Sequence, residues 1–393
     1  MTHVSDDAII RAMGQSWEDM PSRPCPMQPL TVPDIAARRL HAQRLIGEPF
    51  TSAVDTVRWL GAVQAQDYAG AMWAVGQRTQ GATVDALNRL FDAGVILRTH
   101  VLRPTWHVVL PEDIRWLLEL TGARVRRGLA ARWRQLEIDE GVVARAGAAF
   151  RAALAGGRHL TRPELGTVLR AAGIAPDGQR LPHLLMGAEL DGLLVSGPRR
   201  GRQFTYALLE ERAPAPQAQG WDRPAALAEL ARRYFRSHGP AQLQDFVWWS
   251  GLTVADARLG LALAGAALAH QVIEGSDYWF DAAAGPAGPV ATVAHLLPNF
   301  DEYTVGYRDR AAVVHADRPF EPTLFSFGSI LSNVVLVGGR VRGAWRQTVA
   351  RDRVRVEVRL LDRLAPAEAA AVDEAGHRLG RFLGSPVELT WAG

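Results

Sequence analysis

The chain has 393 residues and not one lysine; all 44 of its basic residues are arginine. A P-loop nucleotide site needs its lysine to reach the phosphates, so that class is excluded. Schiff-base chemistry on a lysine amine is excluded with it. Cysteine is almost absent too, with Cys25 alone. That removes any intrachain disulfide, any cysteine-rich zinc site and any all-cysteine iron–sulfur cluster. The 11 histidines are scattered and no His-Glu-x-x-His is present, so no metal and no other cofactor is expected. No apolar run reaches the roughly 18 residues of a membrane span, and the richest Ala/Leu stretch, 259–269, is too short. The first residues, Met1-Thr-His-Val-Ser-Asp-Asp, are acidic where a secretory signal is basic. The expectation is a soluble cytoplasmic protein.

What is present is ordinary globular material. Apolar residues make up 48% and charged residues 22%, with a net charge of +3, and the length suggests about two or three domains. Residues 1–29 are polar and proline-rich and read as a mobile tail around Cys25. An amphipathic helix over 35–45 follows. Ser52 and Asp55 form a capping box opening a second helix, with Val54, Val57, Leu60 and Val63 on its apolar side. A short helix is expected at 71–75. Thr83 caps another over 85–92, which Gly94 ends. Then comes a β-like run, 95–110. Helices followed by a strand pair are the order of a winged helix.

The order recurs. A helix over 144–154, a capping box Thr161-Arg-Pro-Glu164, a helix over 181–191 and a strand–turn–strand over 193–208 make a second unit with a basic wing at Gly197-Pro-Arg-Arg-Gly201. A third copy begins at Pro224, with a helix to Arg236, a helix over 243–249, a capping box Thr253…Asp256 and strands over 272–280. Trp248 and Trp249 read as its core. The final part alternates in a β manner over 290–314, 329–349 and 354–361, with a turn at Gly338-Gly339, a helix over 367–382 and a strand over 387–391. The fold class is α+β, mainly α: three tandem winged-helix units and a small C-terminal β-rich, barrel-like domain. The divisions are 1–29, 30–120, a basic helix and second unit over 121–212, a linker 213–221, a third unit over 222–281, a linker 282–289, and 290–393.

One cluster carries chemical interest: Gln64-Ala65-Gln66-Asp67, where one helix ends and the next begins. Residues i and i+2 point about 200° apart on a helix but to the same side of an extended chain. The glutamines can therefore serve one site only if the backbone leaves the helix before them. From the spacing alone, the simpler reading is two solvated glutamines at a helix end. Asp67 can act as a base or cap the next helix. If 103–107 is a strand, alternation puts Arg103, Thr105 and His107 on one face near the glutamines. A structural strand reads as well.

These motifs resemble those of the AlkZ-like family, the azinomycin-resistance type of bacterial DNA glycosylase, whose signature is Gln–apolar–Gln. Arg98-Thr99-His100-Val101-Leu102-Arg103-Pro104-Thr105-Trp106-His107 adds to the likeness, with Pro104 where relatives often have glycine. Leu297-Pro-Asn-Phe-Asp-Glu-Tyr303 and Gly339-Arg-Val-Arg-Gly-Ala-Trp-Arg346 are also similar, and the likeness covers about 30–391. It implies that Gln64 and Gln66 position water and stabilise positive charge on the sugar. It places Asp301 and Glu302 in a family-like motif, with Asp301 a candidate site-lining residue and no role defined for Glu302. Gln66, where a sister branch has Asp, groups the chain with the branch that handles bulky adducts and crosslinks.

The resemblance implies a glycosylase acting as a monomer on double-stranded DNA that carries alkylated purines, N7-alkylguanine or N3-alkyladenine. Self-resistance in an antibiotic producer and work on nucleoid DNA fit it. With no lysine, strand nicking by an amine–sugar Schiff base falls to the N-terminal amine alone, so a monofunctional enzyme is expected. Arg124, Arg126 and Arg127, with Arg132 and Arg134, lie in an acid-free stretch over 121–135; Arg199, Arg200 and Arg202 mark the second wing; Arg340, Arg342 and Arg346 flank Trp345 after the C-terminal turn. With Arg103, each can meet phosphates, or be a solvated face. Arg340, Arg342 and Trp345 can instead enter a groove beside the lesion. The competing reading is a non-enzymatic winged-helix transcriptional regulator. A third is a protein that sequesters a small-molecule toxin.

Overall fold

The computed structural model describes residues 30–214, 221–288, 290, 292–314, 333–350 and 352–392. The tail expected over 1–29, with Cys25, lies outside the described residues, as do most of the linker 213–221 and the start of the strand expected from 329.

The chain begins with α1 (Val32–Ala42), α2 (Ala53–Leu60), β1 (Val63–Gln64), α3 (Tyr68–Gly76), α4 (Val84–Ala93), β2 (Leu97–His100) and β3 (Trp106–Val109). The caps read from sequence are formed: Ser52 accepts from Asp55 N–H, Thr83 from Ala86 N–H, and Gly94 closes α4 in the left-handed region. A single 25-residue helix, α5 (Pro111–Gln135), runs through position 120/121. The pattern then repeats with α6 (Glu140–Leu154), β4 (Leu160–Thr161), α7 (Arg162–Ala171), α8 (Arg180–Leu190), β5 (Leu194–Arg200) and β6 (Gln203–Leu208). Thr161 and Glu164 form the expected reciprocal cap of α7. After a short α9 (Leu209–Arg212) come α10 (Arg223–His238), α11 (Leu243–Ser250), α12 (Val254–Ala264), β7 (Leu268–Ile273) and β8 (Ser276–Asp281). Helices followed by a small antiparallel sheet thus occur three times, with sheet orders β1-β3-β2, β4-β6-β5 and β7-β8.

The C-terminal part departs from the sequence reading. Among the described residues, the stretch 290–314 holds only β9 (Ala294–Leu297) as a strand and then turns into α13 (Glu302–Val305), because Asp301 caps it through Tyr303 N–H. β10 (Asn333–Val337), β11 (Arg340–Val349) and β12 (Val354–Leu360) follow, then α14 (Pro366–Leu383) and β13 (Val387–Ala392). These strands form one open sheet, β13-β12-β11-β10-β9, whose two end strands do not pair with each other. The barrel-like closure expected from sequence is therefore absent among the described residues.

Burial decides several side-chain roles. One apolar cluster joins Val57, Leu60, Met72 and Phe91 of the N-terminal helices to Val335, Trp345, Val356 and Phe382 of the C-terminal part. Trp345, expected to reach DNA, is 2% exposed, and its indole N–H donates to Leu297 O at 2.8 Å. It is core, because its position on β11 faces the helices and not solvent. The Gly338-Gly339 turn does not protrude either. Tyr303 Oη donates to Gly339 O at 2.9 Å, and a Cβ on Gly339 would lie 3.2 Å from the Ala36 methyl. Trp249 is fully buried as expected, whereas Trp248 is 45% exposed.

Replacing Trp345 by alanine should cost about 3–5 kcal/mol of folding stability, the usual cost of emptying a buried tryptophan site. Denaturant unfolding measures this; a residue that served only to touch DNA would leave stability unchanged.

Candidate active site

The backbone leaves α2 where the glutamine pair requires it. Gly61 caps the helix at φ 78°, a conformation that suits glycine. The chain then extends into β1, where Gln64 pairs with His107 of β3. Ala65 N–H donates to Trp106 O at 2.7 Å, and Trp106 N–H donates to Gln66 Oε1 at 3.0 Å. The strand ends at Gln64; Ala65 keeps a backbone bond to β3, and Gln66, in a bend, is held to β3 through its side chain. Gln64 is 6% exposed and Gln66 is exposed, so one glutamine is embedded and its neighbour is reachable. Asp67 caps α3 through Gly70 N–H at 3.1 Å, which favours its capping role.

Arg103 reaches the pair directly. Its guanidinium donates to Gln64 Oε1 at 2.7 Å and lies 5.8 Å from the Trp248 ring centre. The segment that carries it is not a strand. Val101 to Thr105 forms tight turns, with Leu102 at φ 64°, and β3 starts only at Trp106. The turn between α11 and α12 supports this bend. Gly251 there has φ 68°, and a Cβ on it would stand 2.4 Å from Leu102 O. Arg103 and His107 are nevertheless near neighbours, since the Arg103 charge acts on His107. Thr105 Oγ1, Arg103 Nε and His107 Nε2 are buried without a protein partner. His107 is fully enclosed and pairs with Gln64 across β1 and β3.

Asp301 is not a lining residue. It is fully buried and meets Arg78 in a two-pronged ion pair, at 2.8 and 2.9 Å, with both side chains 0% exposed. Its neighbour Glu302 is the residue the sequence left without a role. Glu302 Oε1 accepts Gln64 N–H at 2.8 Å; Oε2 accepts the Trp249 indole N–H at 2.9 Å and lies 3.3 Å from His238 Nε2. The signal was present: two adjacent carboxylates between Phe300 and Tyr303, in an apolar setting where a charge must find partners.

Around Trp106 the site has an aromatic and cationic wall. Arg98 stacks 4.2 Å from the Trp106 ring centre and donates to Ala65 O at 3.0 Å. His100 packs 4.7 Å from the same ring and is held by Glu189 at 2.5 Å.

The basic segments divide. Arg124, Arg127 and Arg202 are exposed. Arg126 pairs with Asp191 and with Glu140, the latter at 3.0 Å. Arg199 grips Asp92 and Arg200 pairs with Glu164, at 2.9 and 2.7 Å. Arg342 pairs with Glu368 at 3.1 Å, Arg346 with Glu357, and Arg340 is half-buried at the start of β11.

Two buried histidines make stability depend on pH. Burial, with Arg103 second, pulls His107 down to about 3, and burial, with Arg378 and Arg78, pulls His295 to about 3. The folded state therefore refuses protons that the unfolded chain takes up near pH 6.5. Their contribution is complete above that pH and is lost as pH falls toward 3. Between pH 7 and pH 5 each should cost about 2 kcal/mol. Denaturant unfolding at the two pH values checks this, and His295→Gln should remove about half of that pH-dependent loss.

With the geometry in view, comparison with known proteins is specific. The profile of the family described as DNA glycosylase AlkZ-like matches residues 57–382. An interstrand DNA cross-link repair glycosylase of Streptomyces sahachiroi is 28% identical over 319 residues, 77% of this chain and 85% of that protein. The solved structure of the Streptomyces sahachiroi DNA glycosylase AlkZ superposes with a TM-score of 0.72 at 22% identity, covering 92% of this chain and 100% of that one. Among the described residues no helix is long and apolar enough to cross a membrane, and no cluster of three metal-ligating side chains occurs. The chain belongs to the AlkZ-like family of DNA glycosylases.

Proposed function

We propose that this protein is a monofunctional DNA glycosylase that releases N7-alkylguanine and N3-alkyladenine from double-stranded DNA, including bulky genotoxin adducts and interstrand crosslinks. The observation that carries this reading is the Gln64-Ala65-Gln66 segment, which has left the helix and is held to β3 by its backbone at Gln64 and Ala65 and by its side chain at Gln66. It is fixed on one side by β3 and on the other by Glu302. Alkylation at N7 gives guanine a positive charge and makes it a good leaving group. The C1′–N9 bond breaks with its electron pair passing to the base. The sugar becomes oxocarbenium-like, water adds at C1′ and a proton leaves to solvent.

Little acid catalysis is needed, and neutral amides suit a cationic transition state. Each glutamine oxygen here accepts one hydrogen bond, from Arg103 or from Trp106 N–H. An amide oxygen has a second lone pair, and the NH2 group adds two donors. Capacity therefore remains for holding water and for facing the sugar. Gln66, being exposed, is the member that reaches the nucleotide; Gln64 is its anchored partner.

The exposed Arg124, Arg127 and Arg202, with Arg340, supply phosphate contacts, and Arg103 joins them at the site. The three helix-and-sheet units act as winged helices within the divisions 30–120, 121–212 and 222–281, with 290–393 as the C-terminal domain. We read the protein as a monomer working on nucleoid DNA in the cytoplasm. The cross-link repair named for its Streptomyces relative fits a role in antibiotic self-resistance.

The test is base release from a duplex with one N7-methylguanine, scored as strand cleavage before and after alkali. Cleavage is expected only after alkali, and Gln64→Ala and Gln66→Ala should each slow it by about 100-fold or more. Cleavage without alkali would overturn the monofunctional assignment. No release from this duplex or from one carrying a bulky N7 adduct would overturn the glycosylase reading and favour a DNA-binding regulator.

A further inference from the structure

The surroundings of Gln64 contain an electrostatic conflict. Arg103 donates to its amide oxygen at 2.7 Å. A full positive charge therefore stands within the glutamine pair, beside the place where the sugar becomes cationic. Unopposed, it would repel an oxocarbenium-like sugar, and burial strengthens the repulsion. The group placed to offset it is the Glu302 carboxylate, which is fully buried. Burial pushes that carboxyl up, but the hydrogen bonds on it, with His238 and from Gln64 N–H, hold it below its ordinary range. Arg103 and Glu302 meet on the same residue, one at the Gln64 side-chain oxygen and the other at its backbone N–H.

We infer that Glu302 is a positioning residue for the reaction: it fixes the Gln64 backbone and supplies the negative charge that cancels Arg103 at the sugar. This rests on the glycosylase reading. The hydrogen-bond pattern explains why a carboxylate is used. Gln64 N–H and the Trp249 indole N–H approach different oxygens. Only an acceptor-only group satisfies both, since an amide would turn its own N–H toward one of them. The same two bonds tie the glutamine segment to α11, on which Trp249 sits. A buried carboxylate is costly when poorly paired. Here its charge stands where the chemistry creates an opposite one.

The experiment is a double-substitution cycle read as the single-turnover rate on the N7-methylguanine duplex at saturating enzyme, with DNA affinity and Tm measured alongside. Glu302→Gln should slow base release by about 10- to 100-fold with DNA affinity unchanged. Adding Arg103→Gln to that variant should recover the rate several-fold, because the unopposed cation is gone, whereas Arg103→Gln alone should not speed the wild type. Glu302→Asp, which keeps the charge, should outperform Glu302→Gln at equal Tm. If Glu302→Gln does not fold, the same recovery is read in Glu302→Asp, whose carboxylate stands farther back. Rates that simply follow Tm, or a second substitution that slows the Glu302 variant as it slows wild type, overturn the proposal. A wild type inactive on both the methylated and the bulky-adduct duplex sinks instead the reading beneath it.

Discussion

Arg78 and Asp301 hold each other where no water reaches, and the site hangs from that pair. All five N–H groups of Arg78 are used: on Asp301 twice, on Gln43 O and Gln43 Oε1, and on Ala74 O. Asp301 in turn accepts Tyr303 N–H at 2.9 Å. A buried ion pair is tolerable when the remaining donors and acceptors are satisfied in this way, and breaking one side costs about 3–5 kcal/mol. Asp301 is followed directly by Glu302, so pinning one places the other. Glu302 then receives Gln64 N–H. An ion pair between the residues just after α3 and at the start of α13 thereby sets the backbone position of Gln64 on β1.

Local chemistry was legible in the sequence because it is short-range. Ser52, Thr83, Thr161 and Thr253 each cap the helix assigned to them. The need for the chain to leave α2 before Gln64 is met at Gly61. What was not legible is what distance hides. Arg78 and Asp301 are 223 positions apart, and Gln64 and Glu302 are 238 apart; no spacing rule joins them. Trp345 was misplaced for a local reason. Its flanking arginines suggested a surface, but alternation on β11 turns Trp345 inward while Arg346 faces out toward Glu357. Over 290–314 the apolar alternation suggested strands, and the Asp301 cap converted part of it into a helical turn.

A chain without lysine must also do its buried work with arginine. Arg39 is 1% exposed, donates to Pro240 O at 2.9 Å and stacks 3.7 Å from the Tyr307 ring centre. A planar, weakly hydrated guanidinium can be fixed in this way; an ammonium cannot stack or fork. The arginine count therefore overstates the free cationic surface. Arg199 and Arg200 lock the strand pair to Asp92 and Glu164, leaving Arg202 at the exposed tip. A basic run in sequence is a phosphate surface only after its internal partners are subtracted.

A pair of neutral amides places a stricter demand on the scaffold than a charged catalytic group does. A carboxylate or a metal acts through a long-range field and forgives small displacements. An amide dipole acts over contact distance, so its orientation must be fixed in advance. The structure divides that demand. Gln64 is held by main chain, carboxylate and guanidinium together, while Gln66 keeps one backbone bond and stays exposed. The anchored member sets the geometry and the exposed member meets the nucleotide. This division also explains why three distant parts of the chain converge here: β3, the α11–α12 turn and the start of α13 each remove one degree of freedom from a segment that has no charge of its own.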